Sequence, residues 1–344
     1  MNTYHIYAGP GSPYSHKVRA YFRYKRIAHT WLVPMGGFDG EATLGSDNDA
    51  DTPLSRAGKG VVPVIEYPDG SYKSDSTPVM LELDALHPER GIVPPSPAIA
   101  FIAQLIEDLA DEYLPLPMFY FRWTDDADWC GRRQMTGWNG ALNDARLTEL
   151  ANKFLSRQQG QLKAMPRDVM MDQYLAILDA LERLFSERFF LFGDRPSLAE
   201  FGLYGQLTQY IADPTVSAVL RERAVRTFQW THFIDDLSGV EPGGWLEPSA
   251  CLTESVAGLI SALAPMYFVM ASRMLEATSG QDLTAAVNGP AYRAKCYLNL
   301  KQQLSDLTEG ERKLLEPFLQ QAGCWDALQF AAGEEDRVVA IVPG

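Results

Sequence analysis

Residues 3–8 alternate apolar and polar positions and are rich in aromatic and β-branched side chains, which predicts a strand. The spacing changes after Ser12: a helix is predicted over 13–25, with Ser12 as N-cap and Pro13 at the first helical position. The stretch "HTWLVPM" (29–35) reads as a second strand and 36–60 as a polar loop. Within that loop "SDNDAD" (46–51) lacks the remaining ligand spacing of a calcium site and is expected to be solvated. Strands are then predicted at 61–66 and 71–73, joined by the Pro-Asp-Gly turn of 68–70, and a helix at 76–86. The unit is β-α-β-loop-β-β-α and closes near residue 88.

Beyond a proline-rich linker the period becomes helical. Segments 98–114 and 173–189 carry apolar residues at helical spacing. Ser197 and Glu200 have the spacing of a capping box before an apolar run. A Pro/Gly break falls at 239–248, and further helices are expected over 253–277 and 291–322. The apolar run 256–271 is too short for a bilayer and contains Pro265, so a buried helix pair broken at the proline is expected. The expected organisation is 1–88, a linker 89–97, a helical domain 98–245, and a helical extension 246–344.

A chain of 344 residues, 46% hydrophobic and 22% charged, suits a globular protein of two or three domains. The net charge of −14 gives no basic footprint, so neither nucleic acid nor a membrane surface is expected as partner. Cys130, Cys251, Cys296 and Cys324 form no CxxC pair, which argues against a disulfide framework and a zinc site. A reducing cytoplasm is the expected location. His16 is expected to be exposed, and His87 and His232 to lack partners, so no metal is anticipated.

Chemistry gathers at two predicted helix starts. In "GPGSPYSHKVR" (9–19) a hydroxyl, Ser12, stands at a helix N-terminus, where it can cap the helix or donate to a bound thiolate. A free thiol titrates near ~8.5. A hydrogen bond to the charged form contributes roughly 1.5–3 kcal/mol and the helix terminus about 0.3–1. At about 1.36 kcal/mol per pKa unit, the two bring a thiol near neutrality. In "SDSTP" (74–78), Asp75 and Ser76 could form a double cap, or bind a carboxylate and an ammonium together.

This α/β unit followed by helices resembles the glutathione transferase family. "SPYS" (12–15) is similar to the Cys-Pro-Tyr-Cys of redox relatives, and "VVPV" (61–64) resembles the family's Val-Pro step. "SDST" (74–77) resembles the acid-serine pair opening the helix after the hairpin, and "SLAEFGL" (197–203) the capping box of the central buried helix. The resemblance covers residues 1 to about 235 and implies a thioredoxin-like N-terminal domain followed by an all-α domain.

By resemblance Ser12 would stabilise the thiolate of glutathione for attack on an apolar electrophile. Tyr7 at the end of the first strand is the rival, with Ser12 the better match. Pro63 would be cis, turning the Val62 backbone toward the cysteinyl unit; Asp75 would meet the γ-glutamyl ammonium and Ser76 its carboxylate. The glycine carboxylate needs a cation, with Lys17, Arg56, Lys59 and Lys73 as candidates. Tyr113, Phe119, Tyr120 and Trp123 are candidates for an apolar wall, and a homodimer is implied. Two alternatives stand beside this reading: a non-catalytic binding or scaffolding protein, and a glutathione-dependent thiol oxidoreductase or lyase. Serine at both 12 and 15 argues against the last, because exchange needs a thiolate at the helix start.

Overall fold

Four short strands form one mixed sheet in the computed structural model, which describes residues 3–32, 51–59, 61–158 and 166–341. They are β1 (Tyr4–Tyr7), β2 (His29–Leu32), β3 (Val64–Glu66) and β4 (Tyr72–Ser74), in the order β2-β1-β3-β4. β1 runs parallel to β2, with Ile6 opposite Trp31, and antiparallel to β3, with Ile6 opposite Ile65. The alternation seen in sequence is a burial pattern: Tyr4 and Ile6 are buried, His5 and Tyr7 half-buried.

Three helices complete this unit: α1 (Pro13–Lys25), α2 (Pro53–Ala57) and α3 (Ser76–Leu86). The thioredoxin-like layout is as predicted, except that α2 lies in the segment expected to be loop. Thr52 caps it through the backbone N–H of Ser55. Residues 46–50 of the acidic stretch lie outside the described residues.

The helical part runs α4 (Pro97–Tyr113), α5 (Pro115–Thr124), α6 (Ala127–Asn139), α7 (Asp144–Gln158), α8 (Arg167–Glu187), α9 (Leu198–Tyr210), α10 (Pro214–Arg223) and α11 (Val225–Ile234). Every residue of α9 is buried, the polar Glu200, Gln206, Thr208 and Gln209 among them, so the helix is enclosed on all sides. The Ser197–Glu200 capping box closes its start, and Glu200 also accepts from the Leu191 N–H at 2.5 Å. α1 lies directly on α9. A Cβ at Gly205 would come within 2.9 Å of the Pro13 carbonyl oxygen, so this contact needs glycine. The proline-rich linker is packed rather than loose: Ile92 is fully buried, and Arg90 donates to the carbonyls of Tyr24 and Val240.

The extension forms α12 (Pro248–Cys251), α13 (Glu254–Ala277), α14 (Gly289–Asp306) and α15 (Glu309–Gln321). Pro265 does not break α13, contrary to the sequence expectation. The helix packs against α4, α8 and α14, and its buried face includes Leu259, Ile260 and Leu263 before the proline and Tyr267, Phe268 and Leu275 after it. Burying such side chains at about 1.5–3 kcal/mol each outweighs the roughly 3 kcal/mol cost of an internal proline. At 24 residues α13 is long and apolar enough to cross a bilayer, another departure from expectation, but 56% of that apolar window is buried inside the fold. The predicted segment 291–322 is two helices, divided where Thr308 and Glu311 form a capping box.

Candidate functional site

Ser12 is the N-cap of α1: its Oγ accepts the Ser15 backbone N–H at 3.2 Å, and the residue is 8% exposed. Among the described residues its hydroxyl proton is donated to no group. The glycines before it exist because α6 presses on the turn. A Cβ at Gly9 would meet the Trp138 ring at 2.7 Å, and one at Gly11 would meet Gln134 Oε1 at 2.0 Å. His16 is half-buried, not exposed: its Nε2 lies 2.8 Å from the Pro10 carbonyl, and Arg19 is 3.1 Å from Nδ1. Burial, then the Arg19 charge, lower its pKa to about 4 and keep the ring neutral. The rival, Tyr7, donates to Glu66 Oε2 at 2.8 Å, and burial and that carboxylate raise its pKa. His87 has a partner after all, the Tyr4 hydroxyl at 3.3 Å.

The Val62–Pro63 bond is cis, and β3 begins one residue later. Asp75 stands at the N-cap of α3 with φ 79°, but its side chain does not cap the helix. Instead Oδ2 accepts from the Tyr292 hydroxyl at 2.5 Å and from Lys59 at 3.1 Å. Ser76, 5% exposed, opens α3 and lies 3.5 Å from the Lys17 ammonium.

Lys17 is fully buried and donates to Thr77 Oγ1 at 2.8 Å, to Asp111 Oδ2 at 2.6 Å and to Glu107. Burial opposes its charge, yet Asp111 and Glu107 outweigh that and hold its pKa up. Burial likewise pushes Asp111 up to about 8 against the pull of Lys17. The other candidate cations are paired as well: Arg56 with Asp51, Lys59 with Asp75, and Lys73 with Glu82.

A cavity of about 540 Å³ lies between the start of α3, one face of α4 and the start of α14. Its size is that of a small-molecule site. Val62, Asp75 and Ser76 line it; Ser12 and Pro63 do not. Among the other wall residues, sequence reasoning missed Tyr14, Glu107, Asp108, Asp111, Glu112, Tyr292 and Arg293. The four α4 acids, interrupting an apolar helix, were a readable signal; Tyr292 and Arg293 had none. Burial holds Asp108 well above the usual carboxylate range, and Tyr267 donates to it. Burial also raises Glu112, opposed by Arg293, whose Nε donates to Glu112 Oε2 at 2.5 Å.

The proposed aromatic wall lines neither described cavity. Tyr113, Tyr120 and Phe119 belong to the core, Tyr113 donating to Gln173, while Trp123 packs edge-on against Phe154. A second cavity, about 420 Å³, opens beside Pro10 and is lined by His16, Arg19, Arg133, His232 and Asp235 among others.

Residues 11–86 match the model of the glutathione S-transferase N-terminal domain, and residues 147–231 that of the C-terminal domain. No curated protein matches the chain. Among solved structures the chain is similar to a glutathione S-transferase from Methylobacterium radiotolerans in complex with glutathione sulfonate. That pair is 18% identical over 71% of this chain and 98% of the other, with a TM-score of 0.41. It is also similar to a glutathione S-transferase from Methylobacillus flagellatus with glutathione bound (16%, 67% and 93%, 0.42). A third is the beta-etherase LigF from Sphingobium sp. (17%, 70% and 96%, 0.47).

Proposed function

The chain belongs to the glutathione S-transferase family, with both domains present in order, and on that premise we propose that it binds glutathione at the start of α3 and holds the thiolate at Ser12. The observation that carries the binding reading is the joint placement of Val62, Asp75 and Ser76 on one cavity wall; Ser12 lies outside that lining, and its role rests on its own cap geometry. Ser12 suits its role because the oxygen is engaged by the Ser15 N–H while its proton is unused. It can donate to sulfur without losing that proton, and the start of α1 adds its partial positive charge. The thiolate would then attack an electrophilic carbon of an apolar substrate: the sulfur lone pair forms the C–S bond while the carbon's bond to its leaving group breaks and that group departs with the bonding pair.

Calorimetric titration with reduced glutathione tests this, using wild type, Ser76→Ala, Ser12→Ala and Ser12→Asp. Ser76→Ala should weaken binding at least tenfold, and Ser12→Ala should raise the bound thiol's pKa by about one to two units. Ser12→Asp restores a helix cap but no donor, so it should recover stability without recovering the thiol pKa. Wild type that binds no glutathione overturns the reading.

One observation favours a second reading, a glutathione-binding protein that performs no transfer. Gln134 and Trp138 press on the Ser12 turn, and the aromatics expected to face an electrophile pack elsewhere. Binding with an unshifted thiol pKa would select that reading.

A further inference from the structure

We propose that Arg293, on the extension helix α14, is the cation that seats a carboxylate in the α3 cavity, so that the C-terminal extension is part of the ligand site. The inference rests on the glutathione reading and assigns Arg293 to the α-carboxylate of the γ-glutamyl end. Tyr292 and Arg293, which the extension places on this wall at α14's first turns, lie outside the two matched domains.

Among the described residues lining the cavity, Arg293 is the single cation. Lys17, Arg56, Lys59 and Lys73 do not line it, and each is held by a carboxylate within the fold. Arg293 is held differently. Glu112 grips its Nε alone, which fixes the guanidinium plane and leaves both terminal amino groups without a partner among the described residues. The side chain is 36% exposed. A planar, pre-oriented fork with two open N–H₂ groups is the arrangement that binds a carboxylate bidentately.

Two further features point to a zwitterion. Asp111, on the same wall and 7% exposed, has an Oδ1 without a partner; an ammonium placed there would join Lys17 in favouring the ionised carboxylate that accepts from it. Val287, Asn288 and Gly289 bring the start of α14 to the cavity, where Asn288 makes no side-chain cap, so its N–H groups add positive potential. The neighbouring Tyr292–Asp75 bond ties this turn to the start of α3. The cavity therefore pairs an anion seat on the extension with acid groups on α3 and α4, as a carbon bearing carboxylate and ammonium requires.

The test titrates the full chain and Arg293→Gln with three peptides: glutathione, γ-glutamylcysteine, and 4-aminobutyryl-cysteinylglycine, which is glutathione without the α-carboxylate. Arg293→Gln should weaken the first two roughly ten- to hundred-fold and leave the third within twofold. The double variant Arg293→Gln/Glu112→Gln removes both charges of the pair together and should show the same pattern if the single variant folds poorly. Equal loss for all three peptides, no loss, or wild type that binds the decarboxylated peptide as tightly as glutathione overturns this assignment alone. Wild type that binds none of the three overturns the glutathione reading, and this assignment with it.

Discussion

The starts of α1 and α3 look alike in sequence and behave differently in the fold. Each places a short polar side chain at the N-cap position, Ser12 in one and Asp75 in the other. Ser12 has extended backbone dihedrals and caps its own helix. Asp75 has φ 79°, leaves its helix uncapped, and gives its carboxylate to Lys59 and to Tyr292, 217 residues away. A cap is worth about 1 kcal/mol, whereas hydrogen bonds to a charged group contribute about 1.5–3. Where tertiary packing brings a lysine and a tyrosine to an aspartate, the long-range partners win. The lesson is that a cap signal marks where a helix begins but not where the capping side chain points.

The strongest way to disturb this contrast acts from beneath α3. Lys17→Met leaves Glu107 and Asp111 buried without their cation and releases Thr77 and Ser76, and should cost about 3–5 kcal/mol in chemical denaturation. The triple variant Lys17→Met/Glu107→Gln/Asp111→Asn should recover most of that loss. A Lys17→Met protein as stable as wild type would show that the cluster is not held by charge.

A smaller change separates Asp75's carboxylate from its backbone. Asp75→Ala loses both long-range bonds and keeps a Cβ at positive φ, so a loss of about 2–3 kcal/mol is expected. Asp75→Gly loses the same bonds but relaxes the backbone and should be about 1 kcal/mol more stable than the alanine variant. Equal stabilities would mean that φ 79° carries no strain.

The smallest effect belongs to α1. His16, the fourth residue of α1, is neutral when folded, with a pKa of about 4 against an ordinary value near 6.5. As pH falls from about 6.5 to 4 the unfolded chain takes up a proton that the folded protein refuses, so stability falls over that window. Partial exposure tempers the effect to about 1–2 kcal/mol. His16→Gln should remove that share of the slope between pH 7 and 4.5. Parallel stability curves for the two proteins would contradict a neutral His16.

Much of this protein was determined by its sequence through local rules. Alternation at Tyr4–Tyr7, proline at the starts of α1 and α4, and the Ser197–Glu200 box set element type and position, because each acts within a few residues. Ser12's cap and the positions of Val62, Asp75 and Ser76 were legible for the same reason. Pro265 misled because burial on both sides of it outweighs a lost backbone bond, a balance no local window contains. The aromatic stretch after Tyr113 misled because core packing and a binding wall demand the same residue types. Only the tertiary structure turned Asp75 from its helix toward Tyr292 and joined Glu112 to Arg293, 181 residues apart. Those pairings follow from how α14 docks on α4, and docking is decided by shape and burial over the whole molecule, not by the residues that the docking brings together.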